Sequence, residues 1–391
     1  MAAALTACAR PSEQSIPADS FVKVSPRDPR YFELTDGRPY IPIGLNIAFP
    51  VFVYEESAVM AKMEECLRAL AANGGNFIRI WASHPFYDVE HEFSGKYDSM
   101  KVRRLDRILA MARQHGIRVK VTLEHFQTLA EVPEPLPGWP SMGKSLHHVT
   151  RGGPARDMTD FFTGEKSRAR FRAKLDWLAK RYRDEPAVFA WELWAEITAV
   201  EGDGWIEWTR LMLDELHRQF PNHLATQSTG AFDMYRKRQL FEIFWQMPAN
   251  DIVQVQRYLD QGAGLDICKG PISAMAADAI REGLRGGYAK PVLLSDTGAV
   301  EPLRAGPSKL YARDREGIIL HDLLFAPFFA GSAGTGQIWH WDSYVERNDL
   351  WHHFARFAAA VDGLDPPAED FRAETLDHPR LWVYTLRGNH T

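Results

Sequence analysis

The sequence predicts an α/β fold: a closed (β/α)8 barrel, or TIM barrel. Three observations carry this expectation. Short apolar runs alternate with helical patterns from residue 39 onward, and strand–helix alternation implies a parallel sheet. Eight such units can be counted, which is the number that closes a barrel. The span 39–362 gives about 40 residues per unit, within the range of barrels with long loops. The competing fold is an open doubly wound sheet, which wants a glycine-rich phosphate turn after its first strand. Asn46-Ile47-Ala48-Phe49-Pro50 stands there instead and holds no glycine.

The elements follow in order. Tyr40–Asn46 reads as a buried first strand. Ser57–Ala72 has helical spacing and stops at Asn73-Gly74-Gly75. Phe77–Trp81 is the second strand, Leu105–Gln114 a helix ending near Gly116, and Ile117–Leu123 the third strand. A Pro- and Gly-rich segment, 125–165, comes next. Such long loops in a compact barrel are usually lids or binding loops. Lys166–Arg183 is a helix, Val188–Trp194 the fourth strand, Trp205–Phe220 a helix and Leu224–Ser228 the fifth strand. Then come a helix at Arg236–Gln246, a sixth strand at Ile252–Tyr258, a helix at Ile272–Leu284 and a seventh strand at Pro291–Ser295. Gly317–Phe329 is an apolar helix, Gly336–Trp341 the eighth strand and Leu350–Val361 the last helix.

The two ends lie outside this pattern. Leu5-Thr6-Ala7-Cys8 looks like a bacterial lipobox, although only seven residues precede Cys8. Two readings stay open: a chance match in an Ala-rich start, or the remnant of an export signal with a polar tether up to residue 20. The barrel is then assigned to 21–362. In 363–391, Pro366-Pro367 breaks the chain and Leu381–Leu386 looks like a lone strand. A lone strand cannot bury itself. It either adds to the outside of the barrel or begins a second β domain, and the second option is preferred.

Composition excludes several functions. Of 391 residues, 45% are hydrophobic and 25% charged, which are ordinary globular values. Lys+Arg is 46 against Asp+Glu 51, a net charge of -5 with no basic stripe, so nucleic acid is not expected as a partner. No apolar run reaches the ~18 residues of a membrane span. Cys8, Cys66 and Cys268 are too few and scattered for a disulfide framework or thiolate metal site. The 12 Trp fit a large core, and also surfaces that stack on sugar rings.

Barrel enzymes keep their active site at the C-terminal ends of the strands. Read that way, the strands end in Asn46, Arg79, Glu124-His125, Trp194-Ala195-Glu196, Gln256-Arg257-Tyr258, Asp296-Thr297-Gly298 and His340-Trp341-Asp342. Three carboxylates, Glu196, Asp296 and Glu124, are thereby expected at one opening. A carboxylate pair flanking a bond is the equipment of glycoside hydrolysis: one protonates the leaving oxygen, the other attacks or activates water. Trp81, Trp194, Tyr258 and Trp341 would offer apolar faces for sugar rings. Trp139, in the long segment, is a further candidate platform. His125 and His148 are candidates to contact sugar or tune a carboxylate.

These residues also carry a resemblance. Glu185-Pro186-Ala187-Val188-Phe189-Ala190-Trp191-Glu192-Leu193-Trp194-Ala195-Glu196 resembles the fourth strand of clan A retaining glycoside hydrolases, with the cellulase- and mannanase-like family 5 nearest. Lys290–Gly298 is similar to that family's seventh strand. Asp36-Gly37-Arg38-Pro39, Asn76–Trp81, Tyr258 and Trp341 are further echoes, and together they cover about residues 32–362. The resemblance implies Glu196 as acid/base, Asp296 as nucleophile or base, and Arg79 and Tyr258 in the binding site. It implies a hydrolase for β-linked glucan- or mannan-type sugars, without a cofactor, exported to meet its polysaccharide.

Three positions depart from the family. Ala195 stands where it has an Asn that binds the sugar 2-hydroxyl, Asp296 where it has a Glu nucleophile, and Gln256 where a His often stands. These changes keep a second reading open: a non-catalytic carbohydrate-binding barrel. A metal-dependent hydrolase is the third, but no His-x-His follows the first strand. The pairs His147-His148 and His352-His353 are adjacent, and strand neighbours point to opposite faces. No metal is expected.

Overall fold

A computed structural model gives the arrangement of the chain; it describes residues 15–50, 55–90, 92–125, 146–200, 202–231, 238–378 and 381–391. The first strands are not part of the barrel wall. β1 (Val22–Val24), β2 (Phe32–Leu34) and β3 (Pro39–Tyr40) form a small antiparallel sheet. Phe32 and Tyr40 from it pack on Phe189, at 5.2 and 6.0 Å between ring centroids. Phe189 also meets Phe77 at 5.2 Å. Phe77 and Phe189 open two barrel strands, so this sheet closes the N-terminal mouth and leaves the C-terminal mouth as the open one. Strands of two and three residues carry too little pattern to be read from sequence.

The wall begins with β4 (Gly44–Asn46), β5 (Phe77–Trp81), β6 (Arg118–His125), β7 (Val188–Ala195) and β8 (Leu224–Thr226), each parallel to the next. β9 (Val253–Leu259) and β10 (Val292–Ala299) form a second parallel pair. The Asp251 N–H donates to the Ala225 carbonyl at 3.0 Å, and Ala231 bridges Gln256, which joins β8 to β9. The eighth stave is short. Ile338 bridges Thr297 on one side, and its carbonyl accepts from the Asn46 N–H at 3.0 Å on the other. That bond closes the barrel. The predicted strand to Trp341 stops early because Trp341–Glu346 winds into a π-helical turn.

Helices follow the staves and bury one face each. Glu56–Ala72 places Val59, Met60, Met63, Cys66, Leu67 and Leu70 inward, at the spacing of one helix face. Ser99–Gln114 starts at Asp98, whose carboxylate accepts from the N–H groups of Met100 and Lys101, an N-cap. Ile318–Phe329 is apolar nearly all round and sits between barrel and C-terminal segment. In that segment Leu381–Arg387 (β12) is not alone: it pairs with Arg372–His378 (β11) as a hairpin and lays Tyr384 and Leu386 on the core. Among the described residues no helix is long and apolar enough to cross a membrane.

On β6 and β7 the inward–outward alternation slips near the C-terminal ends. Thr122 and Glu192 face the interior and hydrogen-bond each other. Two residues on, Glu124 and Trp194 lie outside the wall, against helix side chains. Their neighbours His125 and Ala195 turn inward onto Trp81. Strict alternation would have put Glu124 and Trp194 inside.

Candidate active site

Asp296 and Glu196 line one open cleft of about 510 Å³ at the C-terminal mouth. Asp296 is 3% exposed. Its Oδ1 accepts from the Tyr258 hydroxyl, and its Oδ2 from Arg79 Nη1 at 3.3 Å. Arg79 is itself fixed from below: Nη2 meets Glu192 Oε2 at 2.6 Å, and Nε donates to Glu192 and to Thr122 Oγ1 at 2.9 and 3.0 Å. Arg79 therefore does not face substrate; it lies beneath Asp296. Burial pushes the Asp296 carboxyl up to about 7. Arg79 and the Tyr258 hydroxyl pull the other way, and the charge of Glu196 adds to the rise. Asp296 and Glu196 are thus electrostatically coupled across the cleft.

Glu196 follows β7 in a left-handed conformation, φ 57° and ψ 48°. For a non-glycine residue this costs about 1–3 kcal/mol and persists only where surroundings enforce it. The enforcing contacts are visible. Ser228 Oγ accepts from the Glu196 N–H at 3.1 Å, and Gln227 Nε2 donates to the Trp194 carbonyl at 2.5 Å. Gly230, at φ +93°, takes a conformation that glycine adopts without a Cβ penalty as the next loop passes Glu196.

Aromatic rings make one side of the cleft. Trp81 and Trp339 are 4.9 Å apart by centroid, and Phe49 lies 5.5 and 5.9 Å from them. His125 stacks on Trp81 at 4.7 Å and holds Ser83 Oγ at 2.6 Å from Nδ1. Burial pushes its imidazole well below the usual range, so it is neutral. Arg304, His340 and Asp342 complete the opposite side. Arg304 lies over the Tyr258 ring at 5.1 Å. The Tyr311 hydroxyl accepts from the Ala299 N–H at 2.6 Å and shares a hydrogen bond with His340 Nδ1 at 2.9 Å.

Several expected residues lie elsewhere. Glu124 does not join the cleft carboxylates; it pairs with Lys174 Nζ at 2.8 Å outside the wall. Trp194 is fully buried among Phe161, Phe162 and Trp208. Both follow from the slip in alternation. Trp341 is buried in the core, and Trp339 is the cleft ring, because the stave ends before 341. His148 caps a short turn and bonds Thr150 and the Arg156 carbonyl, away from the cleft. Gln256 is buried below the mouth, its amide without a hydrogen-bond partner among the described residues. Ala195 is buried in a small apolar patch with Ala48 and Trp81, against Phe49 and Trp339. Trp139 and Cys8 lie outside the described residues. Sequence reasoning missed Phe49, Arg304 and Trp339; only Trp339 left a signal, two residues before the Trp that was chosen. Among the described residues no three His, Cys, Asp or Glu side chains are grouped to hold a metal ion.

No family model matches the chain. An endo-1,4-β-mannanase from Rhizomucor miehei superposes with a TM-score of 0.61 at 16% identity, over 88% of this chain and 99% of that one. The fold is the (β/α)8 barrel of that mannanase. There are also likenesses in sequence. Mannan endo-1,4-β-mannosidase 7 of Arabidopsis thaliana is 25% identical over 174 residues, 41% of this chain and 38% of that protein. Putative mannan endo-1,4-β-mannosidase 9 of Oryza sativa subsp. japonica is 23% identical over 345 residues, 81% of this chain and 80% of that protein. The chain spans less than half the length of the first curated relatives it matches, between 38% and 42%.

Proposed function

We propose that the protein is a glycoside hydrolase that cleaves β-linked mannan-type poly- or oligosaccharides with two carboxyl groups. Glu196 is the general acid/base and Asp296 the nucleophile. The observation that carries this reading is the cleft itself: two carboxyls, one just after β7 and one in β10, beside a wall of aromatic rings. Glycoside hydrolysis needs one carboxyl able to protonate the leaving oxygen and one able to act from the other side of the sugar. The rings supply the apolar faces that sugars stack on. Mannan enters through the relatives, which are named as mannan endo-1,4-β-mannosidases and a mannanase.

A passive binding barrel is the weaker reading. It has no use for a strained Glu196 or for an arginine buried under Asp296, and both are costly to keep. A polymeric substrate would place the protein outside the cytoplasm. The reaction needs no cofactor. A panel of β-mannan, glucomannan, cellulose and aryl β-glycosides tests the proposal, with β-mannan expected to be cleaved fastest. Sugar binding by calorimetry with no hydrolysis of any member would sink it. Proton NMR of the first product anomer then reads the stereochemistry. Retention is expected for Asp296 as nucleophile, and inversion would make it a base acting through water.

A further inference from the structure

Beneath Asp296 the barrel interior holds a line of hydrogen bonds that ends on a buried lysine. Lys120 Nζ donates to Gln254 Oε1 at 2.5 Å. Gln254 Nε2 donates to Glu192 Oε1 at 3.1 Å. Glu192 Oε2 meets Arg79 Nη2 at 2.6 Å, and Arg79 Nη1 reaches Asp296 Oδ2 at 3.3 Å. Lys120, Glu192 and Arg79 have no solvent exposure.

The charges can be counted. Arg79 is engaged more closely by Glu192 than by Asp296. That pair is neutral. Ionising Asp296 would leave one uncompensated negative charge in a desolvated interior, with Glu196 facing it across the cleft. Uncompensated buried charge is what proteins avoid, usually by neutralising the group. Lys120 is the one remaining cation in this line. We propose that Lys120 is a positioning residue for the hydrolysis: acting through Gln254, Glu192 and Arg79, its ammonium lets Asp296 carry the negative charge the reaction needs. The inference rests on the hydrolase reading of the cleft.

The surroundings agree with this role. Burial pushes both Lys120 and Asp296 to about 7, and each counters that push on the other. The other groups facing Asp296 hold one state near neutral pH. Glu192 stays ionised, because Arg79 and Lys120 outweigh its burial and hold it down to about 2. The Tyr258 hydroxyl is pushed well up by burial and by Asp296, so it remains a donor. His340, against the Tyr258 ring, is pushed down to about 4 by burial and stays neutral. Arg304 lies over the same ring. When Glu196 is ionised, its like charge opposes ionisation of Asp296.

The test is Lys120→Met. Losing the ammonium raises the Asp296 pKa, so the acid limb of kcat/KM should move up by about one pH unit. That is a tenfold loss on the acid side with little change near pH 9. Lys120→Arg should restore the limb. A folded Lys120→Met protein with an unmoved acid limb overturns the proposal, since a purely structural role would lower activity at every pH alike. Carbon-13 NMR of the Asp296 carboxyl should show the same shift without any substrate. If nothing is hydrolysed, the hydrolase reading fails while this titration still decides the role of Lys120. If Lys120→Met does not fold, nitrogen-15 NMR of Lys120 is compared between the native protein and Asp296→Asn. By reciprocity its pKa should fall when the Asp296 charge is removed, and an unchanged value overturns the proposal.

Discussion

Two clusters of buried charge sit on opposite faces of the barrel wall at β6. Inside the wall are Arg79, Glu192, Lys120 and Asp296. Outside it, Lys174 meets Glu124 at 2.8 Å and Glu90 at 3.8 Å, with His147 3.9 Å from Glu124 and Asp88 close by. Both contain a carboxyl that burial pushes up to about 7, Asp296 in one and Asp88 in the other. Both contain a deeply buried lysine, but burial pulls Lys120 down to about 7, whereas Glu124, Glu90 and Asp88 overcome burial and raise Lys174. The decisive difference is access. The inner cluster reaches solvent at Asp296, in a cleft with Glu196 and aromatic rings. The outer one is sealed between β6 and the helix Glu165–Tyr182. A perturbed carboxyl is a functional signal only when substrate can reach it.

The largest expected effect separates the two faces. Glu196→Gln removes the proton donor of the cleft and should slow hydrolysis of unactivated substrates by about 10²–10⁴ with the fold intact. Glu124→Gln should do the reverse. It leaves Lys174 without its nearest partner, so it should cost about 3 kcal/mol in urea unfolding and leave kcat/KM nearly unchanged. Equal activity in Glu196→Gln, or a rate collapse in a folded Glu124→Gln, would break the comparison.

The outer cluster also predicts a pH dependence. Asp88 is protonated in the folded state up to about pH 7, whereas in the unfolded chain it ionises near 4. Between these values the folded protein binds the extra proton, so this contribution to stability is present at low pH and is lost as pH rises toward 7. Asp88→Asn should flatten that slope and leave the variant more stable than the parent at pH 8, by up to about 4 kcal/mol. Urea midpoints at pH 5 and pH 8 check this, and parallel curves for the two proteins would show that Asp88 does not titrate there.

Trp339 and Trp341 offer a smaller contrast on one short stave. Trp339→Ala should raise KM for oligosaccharides about tenfold with little change in Tm, because its ring lines the cleft. Trp341→Ala should instead cost about 3–5 kcal/mol, as expected for a core ring. Reversed outcomes would mean that the stave ends where the sequence alone suggested.

The barrel was legible because its signal is repeated: each strand is an apolar run and each helix has a clear stop. That Glu196 and Asp296 share one cleft was legible because both lie in the C-terminal parts of such strands or just after them. What failed was the direction of single side chains. Alternation puts Glu124 and Trp194 inside, but a slip of one residue near Leu123 and Leu193 sends them out, and no residue type marks it. The sequence points to Trp341 rather than Trp339 because its apolar run continues past the point where the π-helical turn starts. Arg304 was missed because it lies on a loop, at φ 59°, whose path is set by tertiary contacts. The deep partners Lys120 and Glu192 looked like ordinary strand residues, since only the closed barrel brings them under Asp296.

Ala195 gives the smallest and most informative test of the inner face. Where the resembled family has an Asn, this chain has a methyl group, fully buried with Ala48 and Trp81 and against Phe49 and Trp339. Ala195→Asn would place an amide in that apolar patch. An amide buried without a partner costs about 1–3 kcal/mol, so the free protein should lose stability by roughly that amount. With substrate bound, the amide would gain a sugar hydroxyl if the ring sits over the patch. Contacts to the 2-hydroxyl strengthen in the transition state, so kcat/KM on unsubstituted manno-oligosaccharides should rise severalfold even as Tm falls. A fall in both would mean that the patch is shaped for an apolar surface of the substrate, and that the methyl group is part of how this cleft chooses its sugar.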